Sequence, residues 1–109
     1  MDEKIKQRIE NDIKNNKVML YMKGTPQEPQ CGFSAQVVGV LNKYNVAMKT
    51  FNILEDEEIR QGIKEYSEWP TIPQLYVNGE FIGGCDIVTE LHNSGELADI
   101  LTNKNKKAL

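Results

Sequence analysis

Cysteine is scarce in this 109-residue chain: Cys31 and Cys85 are the only two, and they lie far apart. That density excludes a small secreted domain stapled by disulfides and points to a reducing, cytoplasmic type of compartment. Long apolar runs are missing as well. The longest, such as Val18 to Met22, have the length of a strand, against the roughly 20 residues a membrane span needs. Charge of one sign is not in excess, with 13 Lys plus Arg against 16 Asp plus Glu and a net charge of -3. Neither a membrane nor a nucleic acid is therefore expected as a partner. The first ten residues mix acids and bases and carry no apolar segment or small-residue cleavage site, so they read as neither a secretory signal nor a transit peptide. Histidine occurs once, as His92, and a metal site needs more partners than one imidazole. There is no internal repeat and no low-complexity linker. With 39% hydrophobic residues the chain can build one modest core, which predicts a single domain over 1-109 with a core of about 5-102 and a flexible tail at 103-109.

What is present alternates between helical and strand patterns. Ile5, Ile9 and Ile13 recur every fourth residue and predict an opening helix that ends at Asn15-Asn16. Val18 to Met22 is the apolar run of a strand covered on both faces. Lys23 to Gln30 is rich in turn formers and predicts an exposed loop. A second helix is expected from Ser34 to about Asn45, a second strand over Met48 to Asn52, and a third helix that starts among Glu55 to Glu58 and stops at Trp69-Pro70. Gln74 to Val77 and Glu80 to Ile82 flank Asn78-Gly79, which predicts a hairpin. Ile87, Val88 and Leu91 mark another helix, and Leu97, Ile100 and Leu101 a last short one. The order describes an α/β protein with helices on both faces of a mixed sheet.

Chemistry concentrates at Cys31. It follows a loop and opens a helix, where amide N–H groups and the helix dipole favour a thiolate, and Lys23 at the end of the first strand adds positive charge. Such a thiol is a nucleophile or a metal ligand at neutral pH. Cys31-Gly32-Phe33-Ser34 has the spacing of a Cys-x-x-Cys redox motif with serine in the second place. Serine cannot close a disulfide, so Cys31 must pair with Cys85, with an external thiol, or with a metal.

Four segments, Met22-Lys23-Gly24-Thr25-Pro26, Cys31-Gly32-Phe33-Ser34, Trp69-Pro70-Thr71-Ile72-Pro73-Gln74 and Gly83-Gly84-Cys85-Asp86, agree in order and spacing with the single-domain monothiol glutaredoxins, which the chain resembles over nearly its whole length. The resemblance implies a thioredoxin-like (glutaredoxin) fold, a central four-stranded mixed sheet flanked by helices. It also implies a cis peptide before Pro73, and glutathione paired through the backbone of Ile72. Many relatives carry Phe at the position of Ile72, but the implied contact is through backbone. Lys23 and Arg60 would face the glycyl carboxylate of glutathione, with Lys64, one turn after Arg60, as an extension of that pair. Gly84, Cys85 and Asp86 would hold its γ-glutamyl end at the start of a helix. Taken without the family, Arg60 and Lys64 are a solvated helix face, Asp86 is an N-cap, Trp69 beside Pro70 is packing or surface in preference to a binding aromatic, and the Cys85 side chain is a buried structural thiol. A Cys31–Cys85 disulfide is the alternative to that last reading.

A [2Fe-2S] cluster takes four ligands, and one chain offers a single well-placed thiolate. The resemblance thus implies a homodimer in which two Cys31 thiolates and two glutathione sulfurs complete the set. Half the ligands being exchangeable, the cluster would be labile and suited to transfer to apo iron-sulfur acceptor proteins. The enzymatic alternative is deglutathionylation by a one-cysteine cycle, weakened by the extended Gln27-Glu28-Pro29-Gln30 segment. A third reading is an adapter sharing a cluster with a BolA-family protein, whose histidine would replace one Cys31.

Overall fold

The computed structural model describes residues 1–102, so the flexible tail expected at 103–109 lies outside the described residues. The chain runs α1 (Glu3–Asn15), β1 (Val18–Met22), α2 (Gly32–Asn42), β2 (Lys49–Asn52), a 3₁₀ turn (Ile53–Glu55), α3 (Glu57–Ser67), β3 (Gln74–Val77), β4 (Glu80–Gly83), α4 (Cys85–Ser94) and α5 (Glu96–Thr102). The four strands form one mixed sheet in the order β2-β1-β3-β4. β1 pairs parallel to β2 and antiparallel to β3, and β4 returns antiparallel to β3. The hairpin turns at Asn78 and Gly79, both at positive φ (53° and 82°), as a two-residue turn of this hand requires.

The sheet separates two apolar clusters. On one face Val37, Val38 and Leu41 of α2, Val88 of α4 and Leu97 and Leu101 of α5 pack on Val18, Leu20, Leu75 and Val77. On the other, Ile5, Ile9 and Ile13 of α1 and Ile59 and Ile63 of α3 pack on Met19, Tyr21, Ile72 and Tyr76. All five β1 residues are buried, because successive side chains of a central strand enter one cluster and then the other.

The bounds of α2 differ from those expected, whereas α3 begins within the expected stretch Glu55 to Glu58. α2 begins at Gly32, directly after Cys31, and ends at Asn42 instead of about Asn45, where the chain takes a left-handed turn (φ 55° at Asn45). α3 begins at Glu57 because Asp56 caps it, accepting from the Ile59 amide at 3.1 Å, while the residues before it form the 3₁₀ turn. That cap also binds Arg8 (3.2 Å), tying α1 to α3.

Candidate functional site

Cys31 is the residue just outside α2, in extended backbone (φ -154°, ψ 134°), with the first turn of the helix behind it. Partial burial pushes its thiol up, but the amides of Ser34 and Phe33, the charge of Lys23 and the Ser34 hydroxyl outweigh that push and hold it below the ordinary cysteine value. Ser34, in the place of the second cysteine of a dithiol motif, is fully buried and accepts a hydrogen bond from the Lys23 amide at 3.1 Å. Its hydroxyl is thus a brace between the end of β1 and the first turn of α2.

The loop expected between Lys23 and Gln30 is a closed turn, and its backbone is bonded to itself. The Gln30 amide donates to Lys23 O (2.9 Å), Thr25 and Glu28 exchange amide bonds (3.2 and 3.1 Å), and Gly24 and Pro29 form a bridge. Gly24 has φ +90°, and a Cβ there would stand 2.5 Å from both Gln30 N and Glu28 O, so only glycine fits. The Asn52 carboxamide oxygen accepts from the amides of Gly24 (2.9 Å) and Leu54 (3.0 Å), fastening this turn to the end of β2.

Across from Cys31 stands the segment between α3 and β3. Glu68 ends α3 in a left-handed conformation (φ 56°), and the Ile72–Pro73 peptide is cis. Gly84 lies against this segment: a Cβ there would meet Pro73 O at 3.1 Å. Between these walls is an open cleft of about 470 Å³, lined among others by Lys23, Cys31, Lys64, Ile72, Cys85 and Asp86. Phe33, Trp69 and Ile87 stand exposed around it.

The cleft gathers most of the residues marked in the sequence: Cys31, Lys23, Ile72, Gly84, Cys85, Asp86 and the extension Lys64. Arg60 is not among its lining residues and pairs with Glu57 at 3.7 Å on the same helix. The N-cap of α4 is Gly84, with Asp86 exposed in the first turn, so Asp86 does not cap as expected. Cys85 is buried, and burial pushes its thiol up; both cysteines are free. Trp69 packs on Phe81 (6.2 Å between ring centres) and lines the cleft as well, a role that its place beside Pro70 did not signal. Phe33, Thr71 and Ile87 were also missed, since apolar or small residues in a loop or first helical turn carry no sign of facing a site. His92 lies away from the cleft, in contact with the Tyr44 hydroxyl. Among the described residues no group of three or more His, Cys, Asp or Glu side chains is placed to hold a metal ion, and no helix is long and apolar enough to cross a membrane.

A low-pKa cysteine opening the helix after β1, facing a cis-proline loop across the end of this sheet, defines a thiol protein of the thioredoxin fold. The sequence model of the glutaredoxin family matches residues 18–82. A Synechocystis protein described as an uncharacterized monothiol glutaredoxin is 56% identical over 101 residues, covering 93% of this chain and 94% of that one. The mitochondrial monothiol glutaredoxin-5 of Saccharomyces cerevisiae is 56% identical over 100 residues, covering 89% of this chain and 67% of that protein. In three dimensions, the solution structure of reduced poplar apo GrxS14 superposes with a TM-score of 0.77 at 53% identity, covering 87% of each chain. The chain belongs to the glutaredoxin family, in its monothiol branch.

Proposed function

We propose that this chain binds glutathione in the cleft and carries a labile [2Fe-2S] cluster as cargo between two subunits, serving iron-sulfur cluster transfer and iron homeostasis. The observation that carries the reading is one thiol of the cleft, Cys31, held below the ordinary cysteine value, while the other, Cys85, is buried and pushed up, and among the described residues no group of three or more His, Cys, Asp or Glu is placed to hold a metal ion. Cys85 is buried with a raised pKa, which suits a structural thiol whose backbone does the binding. A four-ligand cluster then draws one Cys31 thiolate from each of two chains and the rest from glutathione sulfur. The exposed Phe33, Trp69 and Ile87 would be covered by the second copy in that homodimer.

Glutathione has two carboxylates and a peptide backbone, and the cleft offers a complement to each. Lys23 and Lys64 would take the glycyl carboxylate, with Arg60 one turn away at its margin. Ile72 lines the cleft while its side chain belongs to the α1/α3 core, which leaves its peptide to pair with the ligand. The amides of Gly84, Cys85 and Asp86 at the start of α4 would hold the γ-glutamyl end. The same site would serve apo iron-sulfur acceptor proteins, and a BolA-family protein in place of one subunit. A reducing compartment, cytoplasmic in the first instance, suits the two free thiols.

The test is anaerobic reconstitution with iron, sulfide and glutathione, read by absorption and native mass. A coloured, glutathione-dependent dimer that is lost in Cys31→Ser and largely kept in Cys85→Ser is expected. Colour without glutathione, or equal loss in both variants, would overturn the ligand set.

The accessible thiolate also favours a second reading, glutathione-dependent thiol-disulfide exchange. Cys31 attacks the glutathione sulfur of a protein–glutathione disulfide, the protein thiolate leaves, and a second glutathione thiolate releases Cys31 as glutathione disulfide forms. A colourless monomer that turns over glutathionylated substrates quickly would put this reading first.

A further inference from the structure

Gln74 is a polar side chain with no exposure at all, at the start of β3, on the face of the sheet that meets α1 and α3. Its carboxamide nitrogen donates to Trp69 O (3.1 Å) and Thr71 O (3.2 Å), and its oxygen accepts from the Tyr76 hydroxyl (3.1 Å). The orientation of the amide follows from counting donors: two carbonyl oxygens require the N–H₂ end, and the phenol, which keeps its proton because burial pushes it up, requires the oxygen. Trp69 and Thr71 bracket Pro70 in the wall of the cleft, and Ile72 follows directly. The Trp69 end of the wall is also tied to α3, its amide donating to Lys64 O (3.2 Å) and Ser67 Oγ (3.1 Å), but among the described residues Ile72 has no backbone–backbone hydrogen bond, so beyond Trp69 the wall is not held by a ladder.

We propose that Gln74, oriented by Tyr76, is the positioning residue of the cleft: it fixes the Trp69–Thr71 wall to the rigid third strand so that the Ile72 peptide stands where a peptide ligand can pair with it. The assignment rests on the glutathione reading above and deepens it. The side-chain chemistry required is narrow. An Asn is one methylene short, a carboxylate has no donor, and Met fills the space with no donor and only a weakly accepting sulfur. Trp69 and Thr71 are themselves exposed, so water can replace the two lost bonds at the wall. The consequence of removing the amide is therefore a wall that no longer holds its shape, in a domain that remains folded.

The experiment measures glutathione affinity by calorimetry at 15 °C in wild type, Gln74→Met, Tyr76→Phe and the surface control Gln61→Ala, together with the thermal midpoint and the pH profile of Cys31 alkylation by iodoacetamide. Iodoacetamide carries no peptide to pair with Ile72, so it reads the thiolate alone. Gln74→Met is expected to weaken glutathione binding by about ten-fold or more and Tyr76→Phe by about three-fold, with the alkylation profile unmoved and Gln61→Ala like wild type. Unchanged affinity in a folded Gln74→Met overturns the proposal. Should that variant not fold, unchanged affinity in Tyr76→Phe overturns it and a weakened one sustains it. A parallel shift of affinity and alkylation profile also overturns it, because the change would then have spread to α2. Failure of the wild type to bind glutathione is a different result, and refutes the reading of the cleft itself.

Discussion

Replacing Gly24 by alanine perturbs the site at the point where the least room exists. The residue would have to keep φ +90°, a left-handed conformation that costs a residue with a Cβ roughly 1–2 kcal/mol. The new Cβ would stand 2.5 Å from Gln30 N and from Glu28 O, both backbone atoms that cannot rotate away. The turn must open, losing one or two of the bonds among Lys23, Thr25, Glu28 and Gln30, each with a net contribution of roughly 1 kcal/mol. The expected loss is about 2–4 kcal/mol, or a fall of roughly 8–16 °C in Tm for a domain of this size. Because Lys23 and Cys31 flank the turn, the alkylation midpoint of Cys31 should rise at the same time. Gly39→Ala is the internal comparison, since Gly39 lies exposed in α2 with nothing within 4 Å of its added Cβ. It is expected to stabilise by about 0.5–1 kcal/mol through helix propensity. Thermal unfolding followed by circular dichroism reads both. A Gly24→Ala protein within about 0.5 kcal/mol of wild type, or two substitutions with the same sign, would refute the reasoning.

Ser34→Ala removes the acceptor of the Lys23 amide from a fully buried position and should cost about 1–3 kcal/mol while moving the Cys31 alkylation profile to higher pH; an unmoved profile would separate the brace from the thiolate. Because the folded protein holds the Cys31 thiol below its ordinary value, the thiolate contributes stability above the ordinary cysteine range, roughly pH 8.5, and loses it as pH falls through the lower folded value. The gap in unfolding midpoint between wild type and Cys31→Ser should therefore narrow on acidification, and a constant gap would count against it. Cys85 has the opposite sign: its raised pKa gives a contribution that is complete at low pH and lost as pH rises through the folded value, so a Cys85→Ser comparison should diverge in the other direction. Lys23→Met and Lys64→Met should each weaken glutathione binding several-fold in low salt, with Arg60→Met the mildest of the three; calorimetry at two salt concentrations checks this, and a dominant loss at Arg60 would move the carboxylate site to the margin of the cleft.

Periodicity made the elements legible. The isoleucine stripe of α1, the unbroken apolar run of β1 and the Asn78-Gly79 turn each depend on local pattern, and each stands where that pattern places it. Cys31 was legible too, because a loop followed by a helical pattern locates a helix N-terminus. What local pattern does not encode is which polar group meets which across the fold. Ser34, Asn52 and Gln74 are ordinary polar residues in sequence, yet each makes its contact with backbone that the chain brings alongside, up to 28 residues away in the case of Asn52. The early end of α2 was lost for a related reason: several residues in a row qualify as a boundary, and only tertiary packing selects one.

The sheet works as a partition, with α2, α4 and α5 on one side and α1 and α3 on the other. Cys31 and Cys85 belong to the first side, Lys64 and the wall carrying Ile72 to the second, and the cleft opens along the seam between them. A molecule seated there is a cross-brace between two half-cores that share four short strands. Occupancy should then slow the opening of both halves together, so that amides of α3 and of α4 gain protection from hydrogen exchange in step as the ligand concentration rises.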